Sequence, residues 1–396
     1  MNTKTTWLTP NLIGFGIASI CSDASHEMVP LILPLFLSSL INPIEVPLYL
    51  GVITSLSSFT LSIVAFVAGK LTDRSYNRKR LIEIGYILEG LCIGLLGYAT
   101  HWIQVAGGNA LAWAGRGIIG STRNASIAET TDPAYYGRAF GFRQAMDTLG
   151  SLIGPLIVYS LSGWPIQSLF FVTLVPATGA LLAIVVFVSE TPQVPQSSKK
   201  AATSSALPAD FKLLLLALFL FSLGNFSKSL LILRAQTLLS PLHGSLNALS
   251  ITTLLYSFRN IIQAIATYTM GSLSDRLGRT KLLALGGFLC FALMSILLMH
   301  ETSNLSYLSL IFLLSGLSAG TTTSLEKSLA ADLLPTHARG TGYGSLTLVQ
   351  SIGALLASIV VGWLWTTVSL QAACLYAAFL SICSTFLLLF SNKLKK

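Results

Sequence analysis

The stretch GKLTDRSYNRK at 69–79 returns 202 residues later as GSLSDRLGRTK at 271–281. Each copy sets a Gly, an Asp-Arg pair and further basic residues between long apolar runs, and self-similarity at a set offset marks a duplicated unit. The match continues at offset 203, where Ala128-Glu129 pairs with Ala331-Asp332, and Gly137, Gly141 and Gly150 pair with Gly340, Gly344 and Gly353. Between the copies, 190–210 contains TPQVPQSSKKAATSSALP, a Pro/Ser/Lys-rich stretch that reads as a flexible linker. The expected organisation is a first half at 1–190, a linker at 191–210 and a second half at 211–396.

Over its whole length the chain is 53% hydrophobic and 10% charged, with a mean hydropathy of +0.72. That leaves too little polar surface to cover a water-soluble globule, so lipid is the expected solvent. Apolar runs fall near 11–40, 46–69, 81–100, 103–122, 139–161, 166–189, 211–239, 247–270, 282–299, 305–326, 340–365 and 368–390. Each meets the roughly 20 residues that a helix needs to cross a bilayer core, and only helices satisfy every backbone group in such runs. The fold class is therefore an all-α membrane protein of twelve transmembrane helices in two pseudo-symmetric six-helix bundles. The run from Leu12 to Leu40 is too long for a signal peptide and lacks a small-residue cleavage site, so it is read as the first span.

Charge gives the orientation. The intervals 1–9, 70–80, 123–138, 190–212, 271–281, 327–339 and 391–396 hold 19 of the 24 basic residues, and the six alternate loops hold none. By the positive-inside rule, both termini and the linker are expected in the cytoplasm, and the inner (plasma) membrane is the expected location. The net charge of +9 is spread over short loops and forms no basic face with interleaved aromatics, which argues against a nucleic-acid partner. Cys21, Cys92, Cys290, Cys374 and Cys383 lie in apolar runs without CxxC spacing and read as small core hydrophobes.

With these residues in view, the chain resembles the major facilitator superfamily of secondary transporters over its whole length. The family's loop motif is matched by Gly69, Asp73, Arg74, Arg78 and Lys79, although Tyr76 or Asn77 stands where the family has Gly; Gly271, Asp275, Arg276, Gly278 and Arg279 follow the pattern more closely. The resemblance implies that Gly69, Asp73, Arg74, Arg78, Gly271, Asp275, Arg276 and Arg279 form a cytoplasmic gate, in which carboxylates engage helix N-termini and Arg side chains. Arg116, with Gly120 four residues on, is similar to the family's membrane-embedded Arg associated with proton coupling. Gly141, Gly150, Gly154 and Pro155 resemble the glycine-rich motif of the family's proton-coupled antiporters, with Val158 and Tyr159 replacing its trailing glycines. That implies efflux, while tight packing by Gly150 and Gly154 and bending at Pro155 is the plainer reading.

An ionisable group at bilayer depth costs about 2.5 to 3.5 kcal/mol on insertion scales and normally faces a cavity or a partner. Asp23 and Glu27 are one turn apart on the first span with His26 to the side, and could carry a proton or pair with Arg116. Asn225, Lys228 and Arg259 are expected near mid-depth in the second half, and Arg259 there and Arg116 in the first half could each grip a carboxylate through two parallel hydrogen bonds. Arg143 and Asp147 are also one turn apart and read first as an internal salt bridge. Glu89, Glu326 and Lys327 are weaker candidates, and Arg234 is expected to snorkel to the outer surface.

Gly316-Leu317-Ser318-Ala319-Gly320 fits a nucleophile-elbow pattern, but it lies in an apolar span where that strand-turn-helix cannot form. No enzyme is expected, no cofactor, and no nucleotide-binding loop. Asp23, His26 and Glu27 could sit in a transition-metal site, but no second His or Cys falls at matching depth, so no metal is assigned. The expected function is secondary active transport by a monomer that exchanges a small-molecule substrate against protons, most simply as an efflux antiporter. The alternatives are a proton-linked carrier of an organic anion such as a carboxylate metabolite or siderophore, then a metal-ion transporter. Asp23→Asn or Glu27→Gln should abolish gradient-driven accumulation in proteoliposomes while leaving substrate exchange; full accumulation by both variants rules these acids out.

Overall fold

The computed structural model describes residues 8–74, 77–131, 135–189, 208–334 and 339–390. Among these every regular element is helical: α1 (Pro10–Leu40), α2 (Val46–Arg74), α3 (Arg78–Leu95), α4 (Trp102–Thr130), α5 (Tyr136–Ser160), α6 (Ile166–Val172), α7 (Leu174–Phe187), α8 (Ala209–Gly224), α9 (Lys228–Leu277), α10 (Arg279–Leu282), α11 (Cys290–Leu298), α12 (Leu305–Leu333), α13 (Arg339–Thr367) and α14 (Leu370–Phe390). Among the described residues, nine helical runs are long and apolar enough to cross a membrane, one of them the 66 residues of Ala209–Ser274. The chain is a multi-pass membrane protein. The helices α4 and α5, which carry Arg116, Arg123, Arg143 and Asp147, are not among the nine.

Two helix starts in the loops without Lys or Arg are capped by polar side chains. The Asn304 side chain accepts from the Ser306 and Tyr307 amides, and His101 and Gln104 form a capping box. Gly244, at φ 74°, turns the chain inside the long α9, within the connection expected at 240–246.

Three helix limits differ from the sequence expectation. The span expected at 211–239 is broken, because α8 stops at Gly224 and α9 starts at Lys228 with Ser227 as its N-cap. Gly224 and Asn225 are weak helix formers, and the freed backbone is served locally, with the Ser227 amide donating to Ser358 Oγ at 3.1 Å. The loop expected at 123–138 begins later, since α4 runs to Thr130 and makes Arg123 a helical residue. The span at 166–189 is divided at Thr173, three residues before Pro176, whose missing N–H removes a helical bond.

By their packing the helices form two compact units, one within Met1–Leu40 and Leu56–Pro195, the other within Ile41–Ser55 and Gln196–Lys396. Thus the start of α2 packs with the second unit, where Gly362 lies so close that a Cβ on it would come within 2.5 Å of Pro47 O. The linker expected at 191–210 lies outside the described residues except for 208–210.

Within each unit, glycines set the helix spacing. On α5, Gly150 lies against Ile20 O and a Cβ on Gly154 would meet Ala24 O of α1 at 2.5 Å; on α13, Gly353 lies against Ser222 of α8. Gly150 and Gly353, matched at offset 203, therefore perform the same packing task in both halves. Gly316 and Gly320 admit α9 against α12, with Arg259 O and Gln263 O each 2.5 Å from a Cβ built on them. That small-residue stripe, not a nucleophile elbow, accounts for the GxSxG pattern. Gly154→Val should cost about 1–3 kcal/mol of stability, read as a lower Tm in detergent, whereas Gly107→Ala, with nothing within 4 Å of the added Cβ, should leave Tm unchanged; equal Tm values for both variants would contradict the packing role.

Candidate functional site

The first unit buries a charge cluster drawn from α1, α3, α4 and α5. Gly115 permits α4 to press on α3 so closely that a Cβ there would lie 2.8 Å from the Glu89 amide, and the next residue, Arg116, then reaches two carboxylates. Its Nη1 donates to Glu89 Oε1 at 2.9 Å and its Nη2 to Asp23 Oδ1. Glu89, 3% exposed, also accepts from Ser22 Oγ at 3.0 Å and lies 3.6 Å from His26 Nδ1. The His26 ring stands edge-on to Trp113 at 4.8 Å. Glu27 is half-buried one turn from Asp23. Two acids on one guanidinium form a charge-assisted clamp that offsets much of the desolvation of all three groups.

Toward the other end of α4, Arg143 and Asp147 make the expected i,i+4 pair at 2.9 Å. Arg123 joins them at 3.8 Å and donates to Ser19 Oγ at 2.8 Å. The sequence reads Arg123 as a loop residue and Glu89 as peripheral, and the structure brings both into the cluster. The available signal for Glu89 was its place among Gly85, Gly90 and Gly94, the residues that draw α3 against its neighbours.

The second unit holds a cavity of about 290 Å³ at the break between α8 and α9. Asn225 and Lys228 line it because the chain unwinds there, and Arg259, Ser315, Ser318 and Thr322 come from α9 and α12. Arg259 is 9% exposed. Its Nε donates to Ser315 Oγ at 3.1 Å, and its Nη1 to Asn260 Oδ1 at 3.0 Å and Gln263 Oε1 at 2.7 Å. Among the described residues no carboxylate pairs with it, and the cavity lining includes no Asp or Glu. Both cations approach the ring of buried Tyr256, Lys228 Nζ at 5.5 Å and Arg259 Cζ at 5.8 Å from its centroid. Glu326, one turn from Thr322 on α12, accepts from Gln350 Nε2 at 2.6 Å.

Of the gate residues, Arg279 pairs with Asp332 at 2.6 Å, joining α10 to α12, and follows Gly278 at φ 91°. Arg276 is exposed, Arg78 is half-buried, and Gly69 and Gly271 lie within α2 and α9. The side chains of Asp73, Arg74 and Asp275 lie outside the described residues. Pro155 sits inside α5. Among the described residues no group of three or more His, Cys, Asp and Glu side chains could hold a metal ion.

Comparison with known proteins agrees with this architecture. The sequence pattern of the Major Facilitator Superfamily matches residues 15–239 and 214–396. An uncharacterized MFS-type transporter of Methanocaldococcus jannaschii is 30% identical over 387 residues, 97% of this chain and 95% of its own. The cis,cis-muconate transport protein of Acinetobacter baylyi is 26% identical over 359 residues, 83% of each chain. Among solved structures, the nucleoside transporter NupG shares the fold with a TM-score of 0.80 at 13% identity, over 96% of this chain and 98% of its own. A transporter of small solutes and not an enzyme, the chain belongs to the Major Facilitator Superfamily.

Proposed function

We propose that this protein is a proton-linked carrier of a small organic anion, bound through Arg259 and Lys228 in the second unit. One observation carries the reading: Arg259 is a buried guanidinium anchored on neutral partners, at a cavity without acidic lining. Removing a guanidinium from water costs several kcal/mol unless an anion compensates, and a substrate carboxylate at Nη2 would supply that anion. Lys228, flanking the same Tyr256 ring, would add a second positive centre. The similarity to a carrier of cis,cis-muconate, an organic anion, supports the same class.

Asp23 and Glu27 are the proposed proton carriers, with Glu89 sharing Arg116. Protonation of one acid would release part of the clamp and bias the first unit between two arrangements, as alternating access requires. In this reading the two six-helix bundles, 1–190 and 211–396, work as a monomer in the inner membrane, with both termini and the paired gate loops in the cytoplasm. Efflux, suggested by the α5 glycines, has less support, since Gly150 and Gly154 are already required for the approach of α1.

Thermal stabilisation of the detergent-purified protein by cis,cis-muconate and by a lipophilic cation separates these readings, because a ligand that binds only the folded state raises Tm. Muconate should stabilise the wild type, and Arg259→Ala should weaken its binding about 10- to 100-fold, the value of a charge-assisted hydrogen bond. Lys228→Ala should weaken it about tenfold. Stabilisation by the lipophilic cation alone, or muconate binding unchanged in both variants, would overturn the organic-anion reading.

A further inference from the structure

Sequence reasoning places Arg234 at the outer surface, but it is 5% exposed in the structure. Among the described residues its Nε and Nη2 have no hydrogen-bond partner. The carboxylate that approaches it belongs to Glu301, whose Oε1 is 3.7 Å from Nη2, beyond hydrogen-bonding distance. The two side chains differ sharply in burial, at 7% for Arg234 and 73% for Glu301. A solvated glutamate on the connection between α11 and α12 therefore faces a guanidinium that the protein has paid to bury. Such an exposed partner recovers little of the cost of that burial.

Nε and Nη2 form one edge of the guanidinium, the edge that takes a carboxylate through two parallel hydrogen bonds. Arg234 also has a definite place relative to the cavity. Leu231, which lines it, is one turn earlier on the same face of α9, and Lys228 is six residues earlier, roughly 9 Å along the helix axis. Arg234 thus lies between one and two turns beyond Lys228 on the helix whose start lines the cavity.

We infer that Arg234 is a second anion-binding position, where Glu301 is the resident carboxylate and the carboxylate of a substrate displaces it on the way to or from Lys228 and Arg259. The inference rests on the organic-anion reading. Like charges exclude each other at Arg234, so Glu301 and the substrate compete for one guanidinium edge. Removing the competitor should favour the substrate, and removing the guanidinium should disfavour it.

The test is cis,cis-muconate binding and uptake by the full chain in proteoliposomes, with Glu301→Gln, Arg234→Gln and Arg259→Ala. Glu301→Gln should bind muconate about threefold more tightly, and Arg234→Gln about tenfold more weakly with slower uptake at low substrate. If Arg234→Gln does not fold, Glu301→Gln still decides, because its side chain is exposed. A structural ion pair alone would lower Tm in both variants with wild-type affinity and uptake, and that result overturns the inference. Loss of binding in Arg259→Ala beside neutral Arg234 and Glu301 variants would remove this position alone. Intact binding in all three would remove the organic-anion reading with it.

Discussion

A charge placed in an apolar medium must meet an opposite charge or be used, and the arrangement of this protein follows from how it meets that constraint. In the first unit the constraint is met internally. Arg116 is held between Asp23 and Glu89, and Asp147 between Arg143 and Arg123. In the second unit Arg259, 9% exposed, is held by Ser315, Asn260 and Gln263, all neutral. Neutral acceptors orient a guanidinium without cancelling its charge, so the second unit keeps a positive potential at its cavity while the first keeps its charges engaged with one another.

The helices are shaped to hold these groups in place. Glycines on α4, α5, α12 and α13 bring neighbouring backbones within reach, and two of these approaches deliver a polar side chain: Gly115 brings Arg116 to Glu89, and Gly316 brings Ser315 to Arg259. The break at Asn225–Ser227 serves the same end, because an unwound backbone at bilayer depth is tolerated only where protein or a cavity satisfies it. A π-helical turn at Leu283–Leu289 accommodates the other wall, where Ser318 Oγ donates to Gly287 O at 2.7 Å and Phe288 stacks on Phe221 with centroids 4.2 Å apart. Two irregular stretches of the second unit, the break at Asn225–Ser227 and this π-helical turn, thus border the cavity.

Much of this was legible in the sequence. Hydropathy and the 202-residue repeat specify the helical membrane fold, since backbone satisfaction in lipid leaves few alternatives, and the intramembrane charges point to Asp23, Arg116, Lys228 and Arg259 because such residues are too costly to be incidental. The pairings were not legible. Which acid Arg116 would grip depends on the closeness of α3 and α4, set by Gly85 and Gly115, and a single sequence does not say which glycines face each other. Arg123 reads as a loop residue because α4 becomes polar near its end while remaining helical. The break at Asn225 was hidden because apolar content continues through it, and hydropathy reports burial, not backbone conformation.

The central claim is that Arg259, which among the described residues pairs with no carboxylate, takes its counter-charge from the substrate. A structure of the protein with saturating cis,cis-muconate tests this most directly. The account predicts a carboxylate within about 2.7–3.2 Å of Arg259 Nη2, with the bonds to Ser315, Asn260 and Gln263 retained. Muconate seated elsewhere, with Arg259 untouched, would contradict it.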